Sequence, residues 1–221
     1  MNLSKRLSKV LEYINEFDKV ADIGADHGYL SIAMLEKGVK FVQVVENKTE
    51  PLKRAQSALK GYDNVVFSLS DGISELHDEV TAVTICGMGG LNIVEILGSQ
   101  LNKAKRLNKI ILQANSKLFE LRNFLKENNF EILDEDIIEE KDTYYEIIIC
   151  KYNRHYQTNI SFEECYFGPI LLKKQNDTFV NKYQKQLDMY KKILKNGKIS
   201  KNEDIEYINS QIELICNNVR F

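Results

Sequence analysis

The amino-acid sequence predicts an α/β fold: a doubly wound, mostly parallel sheet closed by a C-terminal antiparallel hairpin, followed by an α-helical antiparallel coiled coil. Three observations lead there. Apolar runs of strand length alternate with helical segments from Lys19 to Asn129, a pattern that calls for crossover helices and parallel pairing. The segments FEILDEDIIEE and TYYEIIIC are separated only by Lys141 and Asp142, too short for a crossover and right for a hairpin. Phe179, Tyr183, Leu187, Tyr190 and Leu194 recur at three and four residues, as do Ile205, Ile208, Ile212, Ile215 and Val219 beyond a turn around Asn196-Gly197. Each of those segments therefore offers one apolar stripe to the other.

The elements follow in order. Leu3, Leu7, Val10, Leu11 and Ile14 make residues 3–15 an amphipathic helix with Lys5, Lys9 and Glu12 outward. Then come the strand KVADIG, the helix GYLSIAMLEKG closed by Gly38, the strand KFVQVVE, and the helix TEPLKRAQSALKG with Pro51 in its first turn and Gly61 after its end. The strands NVVFSLS, VTAVTIC and NKIILQA continue the series, with helices LNIVEILGSQL and LFELRNFLKENN between and after the last two. Past Cys150, the tract KYNRHYQTNISFEECYFGP lacks a clear period and ends in Gly168-Pro169, so it reads as a linker partly packed on the first domain. The expected domains are 1–168 and 169–221.

The chain has 221 residues, 43% hydrophobic and 28% charged, enough to bury a core as a soluble protein. It has no apolar run of membrane-spanning length and no signal-peptide stretch at MNLSKRLSKV, so a cytoplasmic location and no membrane partner are expected. Cys86, Cys150, Cys165 and Cys216 form no CxxC pair, which argues against a zinc site or disulfide framework; no metal is expected. The net charge is −2, but residues 170–221 hold ten Lys and Arg against six Asp and Glu, which puts +4 there and −6 on the remainder. A polyanion could be held at this tail; a solvated helical face explains the same charges.

The chemistry concentrates at the ends of the early strands. In VADIGADHG the first strand stops at Gly24, where the missing Cβ lets the chain turn close to a ligand. A dinucleotide fingerprint would read GxGxxG, but here Asp26 lies between Gly24 and Gly28, and a carboxylate there repels a pyrophosphate. It suits a positively charged sulfonium cofactor, whose amino group Asp22 can also face. Glu46, with Asn47 beside it, ends the second strand about twenty residues on, where an acid accepts from ribose hydroxyls. Asp71 and Gly72 follow the third strand, where Asp71 can accept from an adenine amine. In ICGMGGLN, Cys86 and Gly87 complete the cofactor-facing positions, and the glycines expose backbone to a closely approaching base beside Met88. Asn115, after Gln113, can read a base edge or cap a helix. His27 can touch the base or orient a carboxylate. Asp26, His27, Met88 and Asn115 are thus the candidate catalytic positions. For phosphate contacts, Ser4, Lys5 and Arg6 near the start and Lys103, Lys105, Arg106 and Lys109 before the fifth strand join the tail lysines.

Taken together, LSKRL, VADIGADHGYL, Asp71-Gly72, TICGMGG, ILQAN, YYEIIIC and FGPILLK resemble the bacterial tRNA (adenine-22-N1)-methyltransferase family over nearly the whole chain. The resemblance implies a Rossmann-like class I methyltransferase with a C-terminal coiled coil that uses S-adenosyl-L-methionine to methylate N1 of an adenine in the D arm of tRNA, with no metal and no obligate protein partner. The chain departs from the family's usual residues at Ala25, Gly28, Val45, Cys86 and Ala114, none of which removes a group needed for methyl transfer. Two other readings stand beside it: a small-molecule methyltransferase whose coiled coil dimerises, and a non-catalytic RNA-binding or scaffold protein.

Overall fold

The computed structural model describes residues 3–156, 160–196 and 201–221. They divide into two compact units, residues 1–159 and 160–221.

The first unit is a seven-stranded sheet in the order β3-β2-β1-β4-β5-β7-β6. Its strands are β1 (Lys19–Ile23), β2 (Phe41–Glu46), β3 (Val65–Leu69), β4 (Ala82–Gly89), β5 (Lys109–Ser116), β6 (Phe130–Glu140) and β7 (Thr143–Tyr152). The first five run parallel, and β7 pairs antiparallel with both β5 and β6. β1 and β2 are almost wholly buried, as are β4 and β5 up to their carboxyl ends, which explains why they read as continuous apolar runs instead of alternating ones. Crossovers are made by α2 (Tyr29–Glu36), α3 (Thr49–Ala58), α4 (Gly90–Ser99) with the short α5 (Leu101–Ala104), and α6 (Leu118–Glu127). Lys141 and Asp142 form the hairpin turn with φ of 51° and 60°, the left-handed pair that matches the twist of two antiparallel strands.

The N-terminal helix α1 (Lys5–Glu12) is shorter than the 3–15 expected. Ser4 caps it, accepting from Leu7 N at 3.2 Å, and the Glu140 carboxylate accepts from the backbone N–H groups of Lys5 and Arg6 at 3.2 and 3.3 Å. An acid at a helix start satisfies donors that have no partner within the helix. Val10 and Ile14 are buried with Leu30, Met34 and Val42 in the core, so α1 belongs to the fold and positions the residues it carries.

Beneath α6 lies a fully buried charge cluster. Arg122 donates from Nε to Glu135 at 2.7 Å and from Nη2 to Glu146 at 2.5 Å, and all three side chains are essentially sealed from solvent. Burial opposes the guanidinium's charge, but the two carboxylates outweigh it and raise its pKa. The cluster ties α6 to both hairpin strands, and β6 carries a bulge at Leu133 between Ile132 and Asp134.

In the second unit, α7 (Phe162–Phe167), α8 (Leu171–Lys174), α9 (Asp177–Lys195) and α10 (Asn202–Asn218) follow one another. Gln175, just before α9, donates to the carbonyl of Asn218 at the end of α10 and accepts from Arg220 N, so α9 and α10 run antiparallel. Phe179, Tyr183 and Leu187 of α9 and Ile208 and Ile215 of α10 are buried, while Tyr190 and Leu194 are only partly so. The expected turn extends past the described residues at Gly197, as does Lys198.

The break between units falls nine residues earlier than the expected 168/169, because part of the supposed linker is α7. Ser161 and Glu164 cap that helix reciprocally, and the Phe167 ring packs 4.8 Å from Tyr183 and 6.3 Å from Phe179. No helix among the described residues is long and apolar enough to cross a membrane.

Removing the cation from the buried cluster leaves two carboxylates without it. Arg122→Ala should lower the unfolding free energy by about 3–5 kcal/mol, measured by urea denaturation, with Arg122→Lys losing less.

Candidate active site

The strand order reverses between β2-β1 and β4-β5, and the crevice outside the carboxyl ends of β1 and β4 is where an open α/β sheet binds ligands. Asp22 lies there, paired across the sheet with Thr84. It is buried, and accepts from Ser31 Oγ at 2.7 Å and Thr84 Oγ1 at 2.8 Å. Burial pushes its pKa up, and the two hydroxyl bonds work against that rise.

The loop after β1 is a chain of tight turns. Gly24, Asp26 and Gly28 have φ of 71°, 49° and 71°, a region that costs a non-glycine residue energy unless its surroundings hold it. Gly24 N donates to Val45 O at 2.8 Å and Gly28 N to Ala25 O at 2.8 Å, while Asp26 N donates to the Glu46 carboxylate. A Cβ on Gly24 would overlap the Met88 methyl. Glu46 is itself nearly buried; desolvation raises its pKa, the Asp26 N–H lowers it, and the charges of Asp26 and Asp22 raise it further. The Asp26 side chain is turned to the rim, 3.1 Å from Arg54 and 3.5 Å from His27 Nε2.

Across the crevice the β4–β5 pairing slips at Gly87 (φ 77°), the extra residue between Cys86 and Met88, and again at Asn115. Side chains of β5 take over the missing ladder bonds. Gln113 Oε1 accepts from Gly87 N at 3.0 Å, its Nε2 donates to Asn115 Oδ1 at 3.1 Å, and Asn115 Nδ2 donates to Gly87 O at 2.8 Å. Arg6 Nη1 donates to the same Gln113 oxygen at 2.5 Å.

Two cavities meet at Gly24. One, of about 330 Å³, is lined by Gly24, Glu46, Asn47, Asp71, Gly72 and Met88, with Asn92 and Ile96 from α4. The other, of about 280 Å³, is lined by Arg6, Asp22, Asp26, His27, Cys86 and Gly87, with Tyr29 at its edge. His27 and Tyr29 stack at 5.3 Å with a 24° interplanar angle, each about half exposed. Burial pushes the Cys86 thiol up to about 12, so it stays protonated and unreactive near neutral pH.

The structure thus gathers most of the expected cofactor positions, but not all. Gly28 lines neither cavity; it precedes α2 and packs toward Leu59. Asn115 commits one N–H to Gly87 O and one lone pair to Gln113, so it braces the loop. Ser4 is occupied as the α1 cap. Lys5 is exposed. The group before β5 stands apart: Lys103 donates to Ser74 O, Lys105 lies 5.0 Å from the Tyr152 ring centroid, Arg106 is exposed, and Lys109 pairs with Asp18 at 2.6 Å. Lys105, Arg106 and Lys109 flank the amino end of β5, roughly 20 Å from Asn115 at the strand's rise per residue, whereas Lys103 reaches Ser74, which bonds to Ser70 and Asp71 of the cavity wall. Tyr29, Asn92 and Ile96 were missed from sequence; the last two are four residues apart, a spacing that puts them on one helix face. Among the described residues no group of His, Cys, Asp and Glu could hold a metal.

Gly90 permits the closest backbone approach of the site, since a Cβ there would come within 2.7 Å of Ser116 O and overlap Lys117 O. Gly90→Ala should push the 87–90 loop off the end of β5 and lower cofactor affinity by about tenfold or more, a cost of the size seen for overpacked sites, as read by isothermal titration calorimetry.

Comparison with known proteins agrees with this geometry. The family model for tRNA (adenine(22)-N(1))-methyltransferase matches residues 20–217. The tRNA (adenine(22)-N(1))-methyltransferase of Bacillus subtilis (strain 168) is 30% identical over 195 residues, 85% of this chain and 82% of that one. A Streptococcus pneumoniae protein solved in complex with S-adenosyl-L-methionine superposes with a TM-score of 0.89 at 28% identity, covering 99% of this chain and 100% of the other. TrmK of M. capricolum in complex with S-adenosyl-homocysteine gives 0.83 at 28% identity, covering 97% and 96%. The acids ringing the crevice and the match along almost the entire chain converge: this chain belongs to the tRNA (adenine(22)-N(1))-methyltransferase family.

Proposed function

We propose that the paired cavities hold S-adenosyl-L-methionine for methylation of adenine N1 in tRNA, with the nucleoside in the cavity of Glu46 and Asp71 and the amino-acid end in that of Asp22 and Asp26. One observation carries this: carboxylates at the ends of β1, β2 and β3 border both cavities, which meet at Gly24. Such walls repel phosphates and suit hydroxyls, amines and a positive sulfur. Glu46 serves the ribose hydroxyls, and Asp71 the adenine amine. Asn47, Gly72, Cys86 and Gly87 shape the walls.

When bound, the cofactor supplies a methyl group on a positively charged sulfur. The adenine N1 lone pair can accept it directly, so the protein's work is alignment and charge stabilisation. Met88, packed on Gly24, separates the two cavities' contents and limits where the methyl group can lie. Asp26, at the rim beside His27, faces the positive charge that develops on the adenine ring. His27 and Tyr29 present a stacked, half-exposed aromatic surface on which an unstacked base can rest. Gln113 and Asn115 keep the 87–90 backbone fixed opposite that surface. Methylation requires none of these side chains to take a proton, since neutral N1 carries none.

For the RNA, the exposed lysines of α9 and its approach, Lys173, Lys174, Lys185, Lys191, Lys192 and Lys195, are the best source of phosphate contacts, and Lys5 adds one beside the site. Lys105 and Arg106 contribute only to an RNA long enough to reach the amino end of β5. A tRNA substrate and the absence of a membrane-spanning helix among the described residues support work in the cytoplasm.

Labelled cofactor with an unmodified tRNA transcript should place the methyl group on N1 of adenine 22, mapped by reverse-transcription arrest; cofactor binding without RNA methylation would sink the reading. Glu46→Gln should weaken cofactor binding by about tenfold, the worth of a hydrogen bond to a charged group. The sign with pH follows from burial: the Glu46 pKa is raised, ribose hydroxyls need the anion, and protons compete with the ligand. Wild-type affinity should therefore fall as pH drops through the acid range, and Glu46→Gln should abolish that part of the fall. Transfer RNA binding should weaken steeply with salt, and replacing three of the α9 lysines by Gln should flatten the log K against log salt slope by roughly two to three units.

A further inference from the structure

Gln43 is the one uncharged polar residue of β2, and its side chain is buried in the middle of that apolar strand. A buried amide needs partners, and here they come from β3 and from the connection between β3 and β4. Nε2 donates to Ser68 Oγ at 2.8 Å and to Glu75 O at 2.8 Å, and Oε1 accepts from His77 N at 2.9 Å. The Glu75 carbonyl can only accept and the His77 N–H can only donate, so these partners fix which way the amide faces.

The topology explains why an amide stands there. To reach β4 from β3 the chain must pass β2 and β1, and residues 70–81 do so without a helix, where the other parallel connections are helical. A helix satisfies its own backbone; an open loop lying on the sheet leaves polar backbone groups that need partners. Gln43 supplies them. Phe41, on the same face of β2, lies 5.0 Å from the His77 ring, and Lys19 of β1 pairs with Glu79.

The start of the same connection is the wall of the 330 Å³ cavity, to which it gives Ser70, Asp71 and Gly72. We propose that Gln43 is a positioning residue for base recognition: it seats the β3–β4 connection on the sheet so that Asp71 meets the exocyclic amine of the cofactor's adenine. Gln43 itself lines neither cavity. The short path from 75–77 to Asp71 is stiff, because Ser74 N donates to Asp71 O at 3.2 Å, Ser74 Oγ donates to the same oxygen at 2.8 Å, and Ile73 is fully buried. A shift of the loop at Gln43 is therefore carried to Asp71. Lys103 of α5, which donates to Ser74 O, is a second fastening of the same wall.

The inference rests on the reading of Asp71 above, and two ligands separate the claims. S-adenosylhomocysteine carries the adenine amine; S-inosylhomocysteine carries a carbonyl oxygen in its place. In isothermal titration calorimetry the wild-type protein should bind the second about tenfold more weakly, the worth of a hydrogen bond to a charged group. Gln43→Met, close in volume but without the amide, should narrow that ratio to about twofold by weakening S-adenosylhomocysteine. In tRNA methylation the same variant should raise KM for the cofactor and hold kcat at saturating cofactor within about twofold. Lys103→Met, which leaves the sheet interior untouched, should narrow the ratio as well, and it tests the wall if Gln43→Met does not fold. A Gln43→Met protein that melts at lower temperature yet keeps the wild-type ratio would make the amide a stabilising group only and overturn the proposal. So would an unchanged ratio in Lys103→Met where Gln43→Met does not fold. Equal binding of the two ligands by the wild-type protein would remove the Asp71 reading itself, and the inference with it.

Discussion

Asp22 is the group on which the site depends. It stands on the strand where the sheet's winding reverses, and its two oxygens are held by Ser31 from α2 and Thr84 from β4. A carboxylate taken this far from water is unfavourable unless hydrogen bonds compensate, so the two hydroxyls both stabilise the ion and lock β1, β4 and α2 in one arrangement. That arrangement sets the direction in which the chain leaves β1. The loop that follows then turns through three left-handed residues, and the N–H of Asp26 reaches the carboxylate ending β2. Asp22 and Glu46, both desolvated acids with raised pKa values, are therefore fixed relative to each other before any ligand arrives.

The opposite wall is built by a different device. At the end of β4 a glycine is inserted into the ladder, and the ladder bonds lost there are replaced by the amides of Gln113 and Asn115. A bulge of this kind re-aims the chain beside a site while leaving the rest of the strand in register. Gly90 then allows the backbone to pass against Ser116 and Lys117 with no side chain between. One wall is thus held by charge and the other by amides and close backbone contact. Arg6, reaching in from α1, touches the second wall while lining the cavity of the first.

Support from behind comes through the hairpin. Glu140 of β6 secures the first turn of α1, while Glu135 and Glu146 hold Arg122 beneath α6. Acids on opposite strands of one hairpin therefore tether helices that the chain lays down far apart. Buried charges of this sort stabilise little by themselves, but removing one partner and leaving the other uncompensated is costly.

Local pattern in the sequence was enough for the order of strands and helices, the hairpin turn at Lys141-Asp142, and the acids at strand ends, because periodicity and turn chemistry act between near neighbours. The similarity of its motifs to one methyltransferase family rested on those same local segments. Even α7 left a local trace, the S-x-x-E spacing of Ser161 and Glu164, hidden by the irregular tract around it. What near neighbours could not reveal was which polar groups would consume one another. Asn115 offered a base reader or a helix cap, and nothing local to it showed that it would also bond to Gly87, a residue of a different strand. Lys105 and Arg106, read as phosphate contacts, precede the amino end of β5, which the full length of that strand separates from the crevice at the carboxyl ends. Arg6 looked like a surface cation until α1 docked and carried it over the crevice. Sequence alone determined the fold class, the sites of turning and the chemical character of the pocket, whereas pairing between distant groups was decided only by the tertiary structure, because a hydrogen bond depends on where two side chains meet and not on what either one is.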